Sequence, residues 1–581
     1  MPEIRPAMSA LLTLFENLRR GVAVERIETL VDAALEPASG AALEDVCVLA
    51  VHTRWCRGGK GERRAALDVL LVLYTRAPAA TLAVAALLPE FGSWRDVVTL
   101  AQDAAAHGAT HEPLSVACWD MLAHELQADA TMLYAASAER GAPPSLSLAA
   151  KYAPSECGAR GAVRGDLELC RRLFDSTATH ARRDYRRLLT HLRRALALPE
   201  PLMCAGRWDD IHFADVPARA LACYKRAFLN EGRGGPRAEP ARIRCRERFL
   251  AALADPANIK GAQMFPHELV REAMRPGLSP GVEAVLNAQW AAVRASVQDI
   301  GLGTTRMVCM ADVSGSMLGT PMHVSIALGI LVAELSHPDF RDRVLTFSAE
   351  PTWHLLRAGD SFVAKVRSLA AAPWGYNTNL TAAVDMVAEV VAAKGLKQGA
   401  VPDLLVVSDM RFDESQRGQD AWGVAHESVS ERFSALGARL HGAPMQPPRI
   451  VFWNVRADGA GFEPDAGLDG VALLSGYSPA LMRAFLAGEE KTLPAPGGCA
   501  AVRTTAADTL RAVLQDPALQ CVRTAARTHS HAPPVNMPPD APPAINRHEY
   551  LVAFAVGLVW ASCVLTVCII GALFAHPART R

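Results

Sequence analysis

The sequence predicts a multidomain chain: an all-α, helical-repeat (HEAT-like) N-terminal region over residues 1–300, a doubly wound α/β domain over 301–490, a proline-rich linker over 491–549 and a transmembrane helix over 550–575. Three observations predict it. Apolar residues recur at helical spacing through the first half, short apolar runs alternate with helical segments after residue 300, and an uncharged apolar stretch lies close to the end. A chain of 581 residues is too long for one core, so two or three domains are expected.

In the first region, Leu11 to Leu18 and Ile27 to Leu35 read as amphipathic helices, and charges spread through residues 1–36 argue against a cleavable leader. Further helical segments are Ala65 to Tyr74, Thr81 to Leu88, Trp94 to Ala106, Leu114 to Leu126 and Tyr185 to Leu198. Stacked helical pairs would bury such faces, although no strict repeat shows.

The second region opens with a buried strand over Arg306 to Ala311, a short loop, and a largely apolar helix over Val324 to Leu335. Strands follow at Val344 to Phe347, Leu404 to Val407, Ile450 to Val455 and Val471 to Leu474, with helices at Leu380 to Ala393, Val429 to Leu440 and Pro479 to Leu486. That alternation predicts a parallel sheet covered on both faces, with ligands at the carboxyl ends of its strands.

The loop after the first strand is the chemically informative one. Met310-Ala311-Asp312-Val313-Ser314-Gly315-Ser316-Met317 sets one carboxylate and two hydroxyls at alternate positions. Magnesium prefers oxygen ligands, keeps several waters and takes few protein groups, which such a loop supplies. Asp312, Ser314 and Ser316 form the Asp-x-Ser-x-Ser signature of a metal-ion-dependent adhesion site, so the segment resembles a von Willebrand factor A domain, a Rossmann-like fold. The resemblance implies two further ligands from later loops, and Thr378 and Asp409 stand in those places. It also implies that Ser314, Ser316 and Thr378 ligate Mg2+ or another divalent cation directly, that Asp312 and Asp409 hold metal-bound waters, and that an open position accepts an acidic side chain of a protein ligand. Read alone, Thr378 also suits a helix N-cap before Leu380, and Asp409 a turn at a strand end.

Composition narrows the setting. Lysine plus arginine balance aspartate plus glutamate at 60 each, and half the residues are hydrophobic, so the chain has no global polyelectrolyte character. Thirteen cysteines without a Cys-x-x-Cys pair argue against a disulfide framework or zinc ribbon and for a reducing compartment. Pro533, Pro534, Pro538, Pro539, Pro542 and Pro543 predict an extended linker. Beyond it, residues 551–575 carry no charge and as a helix would reach about 37 Å, enough for a hydrocarbon core of about 30 Å. Such a segment resembles a single-pass tail anchor, which would tether the protein to a membrane and leave its bulk in the cytosol.

Residues 151–250 hold 21 lysines and arginines against 12 acidic residues. Arg182, Arg183, Arg186, Arg187, Arg193 and Arg194 form the densest run; most would share one helix face, suited to RNA phosphates or to solvent and intramolecular ion pairs. Arg57-Gly58-Gly59-Lys60-Gly61-Glu62-Arg63-Arg64 lacks the spacing of a nucleotide loop and reads as a turn before a helix.

That segment is one of an ordered set. Others are Leu88 to Asp96, Leu148 to Glu156, Phe265-Pro266-His267-Glu268-Leu269-Val270, Trp374 to Thr378, Val407 to Asp413, Ile450 to Asn454 and Leu474 to Ala480. In this order, across roughly residues 10 to 490, they resemble the family of the domain of unknown function 2828. That family is similar in plan to the Ro ribonucleoproteins, which join a helical-repeat ring to a von Willebrand A domain and bind RNA.

Enzyme signatures fail. His267-Glu268 is followed by Arg271 where a zinc-protease helix needs its second histidine, and Asp-Val-Ser-Gly-Ser is no nucleophile elbow. The expectation is a non-enzymatic, membrane-tethered, metal-dependent protein-interaction adaptor, with a Ro-like RNA-binding ribonucleoprotein component as the alternative.

Overall fold

A computed structural model of the chain describes residues 6–529 apart from 37–39, 140–143, 156–164, 175–177, 233, 256–258, 262–263, 299–305, 347, 349, 373–379, 409–418, 456–470 and 476–505. These residues fold as two compact units, one drawn from residues 6–73 with 205–529 and one from residues 74–204.

The larger unit holds a six-stranded sheet in the order β3-β2-β1-β4-β5-β6. Its strands are β1 (Met307–Ala311), β2 (Arg343–Thr346), β3 (Trp353–Leu355), β4 (Asp403–Ser408), β5 (Ile450–Asn454) and β6 (Val471–Ser475). Strands β2, β1, β4, β5 and β6 run parallel, in register through Cys309 with Val344, Val308 with Leu404, and Val406 with Phe452. Edge strand β3 runs antiparallel to β2, with Leu345 opposite Trp353.

Both faces of the sheet are covered, which is why β1 and β4 are apolar at successive positions. Val308, Met310, Leu404, Val406 and Phe452 pack with Val384, Val387 and Phe433 of helices Leu380–Lys394 and Gln419–His441. On the other face lies helix Thr320–Leu335, where a Cβ added at Gly329 would come into van der Waals contact with Ala311, Val344 and Leu369. That helix is apolar on nearly all sides because helix Pro266–Ala273 covers its outer side.

The same unit takes in early and late helices. Gly59 packs so tightly that an added Cβ would stand 1.9 Å from the His52 carbonyl oxygen, and Lys60 is buried with its ammonium donating to the Phe15 carbonyl. Helices Ala506–Leu514 and Gln520–His529 pack on Gly40–Arg54, where Arg527 and Arg523 pair with Glu44 at 2.8 and 3.2 Å.

The smaller unit is helical. It comprises Pro78–Ala85, Leu88–Phe91, Trp94–Ala106, Glu112–Glu139, Ala149–Tyr152, Gly165–Leu173, Ala178–Ala195 and Pro199–Cys204. Gly165 lies against buried Trp119, where a Cβ would come within 2.4 Å of the ring.

The expected fold class is corrected on three counts. The sheet is mixed, because β3 folds back as a hairpin partner of β2. The N-terminal helices are not one HEAT-like array: their lengths run from 4 to 28 residues, and residues 6–73 join the sheet-bearing unit. The expected transmembrane helix and single-pass membrane localisation are withdrawn: among the described residues no helix is long and apolar enough to cross a membrane, and 550–575 lies outside them. Two helices occupy residues 506–529, inside the stretch expected as linker.

Candidate cation and ligand site

Strand order reverses at β1: the chain runs outward through β2 and β3, then returns to place β4 on the opposite side. At such a switch point the loops after neighbouring strands diverge and leave a crevice at their carboxyl ends. Asp312 follows β1 there and Ser408 ends β4.

Three hydrogen bonds organise the β1 loop. The Asp312 amide donates to the Val407 carbonyl at 3.0 Å, extending the β1–β4 ladder by one residue. The Ser314 amide donates to Asp312 Oδ1 at 2.8 Å, and Ser408 Oγ donates to Asp312 Oδ2 at 2.8 Å. Asp312 and Ser408 are buried, at 2% and 1% exposure, so the carboxylate has one orientation. Buried Val313 and Met317 anchor the loop on the core and leave Ser314 half-buried and Ser316 exposed. A 3-10 turn over Gly315–Met317 brings Ser314 Oγ and Ser316 Oγ to 3.0 Å, and Gly319 at φ +96° turns the chain into helix Thr320–Leu335.

The structure therefore brings Asp312, Ser314 and Ser316 together, while Thr378 and Asp409 lie outside the described residues. The expected complete metal-ion-dependent adhesion site is corrected accordingly. Among the described residues no group of three or more His, Cys, Asp or Glu side chains stands ready to hold a metal, and this loop supplies one carboxylate.

The donors fit a hard cation. Adjacent oxygens of an octahedral shell with magnesium bond lengths stand about 2.9 Å apart, and the two serine hydroxyls are separated by 3.0 Å. Each carboxylate oxygen of Asp312 accepts from a neighbour, which fixes the direction of the group. Ser408 was not among the residues singled out from sequence. Its signal was a hydroxyl closing the apolar run of β4 just before Asp409.

The six arginines separate. In helix Ala178–Ala195, Arg183, Arg186 and Arg194 are exposed on one face. Arg182 is half-buried, and Arg187 stands 3.9 Å from Asp184. Arg193 donates to the Ala150 and Ala153 carbonyls, each at 2.7 Å, and to Ser155 Oγ at 2.9 Å. It straps two segments together and presents no free phosphate contact.

Another cationic cluster belongs to the sheet-bearing unit. Arg20 and Arg219 flank the Phe265 ring at 5.5 and 5.9 Å, and Arg20 Nη1 donates to His267 Nε2 at 3.4 Å. Burial, with Arg20, Arg271, His323 and Arg219 nearby, depresses the His267 imidazole to about 3. Burial first and Arg271 second pull His323 down as well.

Comparison with known proteins matches two segments of the chain. Residues 306–509 match the family described as domain of unknown function 7788, and residues 171–302 match domain of unknown function 2828. Uncharacterized protein L728 of Acanthamoeba polyphaga mimivirus is 32% identical over 356 residues, a match that spans 60% of this chain and 59% of that protein's length. The match of residues 171–302 bears out, over that segment, the expected resemblance to the family of the domain of unknown function 2828.

Proposed function

We propose that the sheet-bearing unit is a recognition head that binds a divalent cation, Mg2+ by preference, and through it an acidic side chain of a protein ligand. One observation carries this reading: a carboxylate held by Ser408 and by the Ser314 amide shares a loop with two hydroxyls 3.0 Å apart at the switch point of the sheet. The role is binding; the loop offers oxygen ligands and no nucleophile–base pair.

Calorimetric titration of the full chain with Mg2+ and Mn2+ tests it. Wild type should take up one cation, and Asp312→Ala should lose at least an order of magnitude in affinity, the scale set by removing or misaligning one ligand. Equal uptake by wild type and Asp312→Ala, or no uptake by either, sinks the proposal.

The alternative, RNA binding, draws support from the shared exposed face of Arg183, Arg186 and Arg194. Its test is retention of RNA that weakens with salt and is lost in the triple Arg→Gln variant. A phosphate-contacting surface requires that dependence.

A further inference from the structure

A ligand on the β1 loop would meet more of this unit than the cation. Leu318, two residues past Ser316, is 74% exposed, the most exposed large apolar side chain among the described residues. Two residues later helix Thr320–Leu335 begins, and His323 lies in its first turn. The Nδ1 atom of His323 is buried without a hydrogen-bond partner among the described residues. Arg271, on helix Pro266–Ala273, is exposed and forms no ion pair with any described residue.

Its cationic neighbours are already matched. Arg20 pairs with Glu62 at 3.1 Å, Arg219 with Glu268 at 3.4 Å, and Lys225 and Arg275 with Glu272 at 3.4 and 3.1 Å. Burial pushes both histidines of the cluster toward their neutral forms, helped by Arg20, Arg271 and Arg219 at His267 and by Arg271 at His323. One unmatched guanidinium therefore stands near His323, on a helix packed against the helix that the β1 loop and Leu318 lead into. A nucleic-acid track needs a series of unpaired cations. A single guanidinium suits one carboxylate, which it can hold through two parallel hydrogen bonds.

We infer that Arg271 and Leu318 complete the ligand site: the ligand is a peptide segment of a protein partner carrying one acidic residue for the cation, an apolar residue for Leu318 and a second acidic residue for Arg271. This rests on the cation-dependent reading above.

Fluorescence anisotropy with defined probes tests it on the full chain. The probes are fluorescein-labelled Gly/Ser peptides with two Asp flanking a Leu at varied spacing, their one-Asp and Leu→Ser relatives, and a uridine oligonucleotide. In Mg2+ the best two-acid peptide should bind more tightly than its one-acid relative. Arg271→Gln should erase that advantage, a roughly three- to fivefold loss typical of an exposed charge pair. Leu318→Ser should weaken only the Leu-bearing peptides. Thermal unfolding checks that both variants remain folded. Unchanged two-acid binding by Arg271→Gln, or no peptide binding at all, overturns the inference. Oligonucleotide binding that requires Arg271 overturns it in favour of nucleic acid. Calorimetric Mg2+ uptake separates these failures from failure of the cation site itself.

Discussion

Ser408 Oγ donates to Asp312 Oδ2 over 2.8 Å, joining the carboxyl ends of β4 and β1 through a pair in which both residues are buried. Without that donor, one oxygen of a buried carboxylate loses its partner. Ser408→Ala should therefore cost about 1–3 kcal/mol in stability and about tenfold in Mg2+ affinity, because the ligand is no longer oriented. Urea unfolding and Mn2+ titration measure the two effects. A variant equal to wild type in both would show that the hydrogen bond does not organise the site.

Much of the sheet was readable because it is buried on both faces. Leu404, Leu405, Val406 and Val407 are all fully buried, and an uninterrupted apolar run records that directly. The Asp312, Ser314 and Ser316 spacing was equally legible, being local. Strand β3 was not: it has three residues, with Trp353 and His354 half-buried and Leu355 exposed at the sheet edge, so it carries no period. Helix Phe362–Ala370 left a signal that was passed over: Ser361 accepts from the Ala364 amide, and Phe362, Val366 and Leu369 follow at helical spacing. Pairings such as Ser408 with Asp312, or Arg527 with Glu44, join distant stretches of chain and leave no local trace.

Glu334 links the sheet-bearing fold to a preceding helix. It accepts from Lys365 Nζ at 2.7 Å and Trp290 Nε1 at 3.0 Å, and the Glu334 and Lys365 side chains are each 6% exposed. Trp290 stacks on Phe362 at 4.2 Å, closing the cluster. Glu334→Ala leaves a buried ammonium without its partner, for which about 3–5 kcal/mol is expected. Adding Lys365→Met should recover much of that loss in chemical denaturation. If the double variant is no more stable than Glu334→Ala, the cost comes from packing and the ion pair is secondary.

Gly59→Ala should destabilise the turn before helix Arg63–Arg76. The new methyl would meet backbone, the His52 carbonyl oxygen at 1.9 Å, and backbone cannot rotate away as a side-chain tip can. An overpacking cost of about 1–3 kcal/mol is expected. Gly108→Ala is the comparison: its φ of +82° strains any side chain, but nothing lies within 4 Å of the added carbon. Gly59→Ala should lower the melting temperature more, and the reverse order would contradict the close approach.

Two buried imidazoles set the response to acid. Burial pushes His52 and His267 down to about 3, with Lys60 adding to the effect at His52 and Arg20 at His267. Because arginine can only donate, His267 Nε2 must accept from Arg20, which requires the neutral ring. In the unfolded chain both rings take up a proton near pH 6.5. The unfolded state thus binds more protons below that value, and stability falls as pH drops from about 6.5 toward 3, by up to about 1.4 kcal/mol per pH unit for each histidine. Glu44 acts lower: Arg527, followed by Arg523, holds its carboxyl below the usual range, so its stabilising contribution is present above the unfolded value and lost only as pH falls beneath about 4.3. Between pH 6 and 5 the histidines should therefore dominate. His267→Gln keeps an acceptor for Arg20 and removes one titration, so urea midpoints measured across that window should show a slope reduced by about one proton. A slope identical to wild type would mean that His267 is charged in the folded protein.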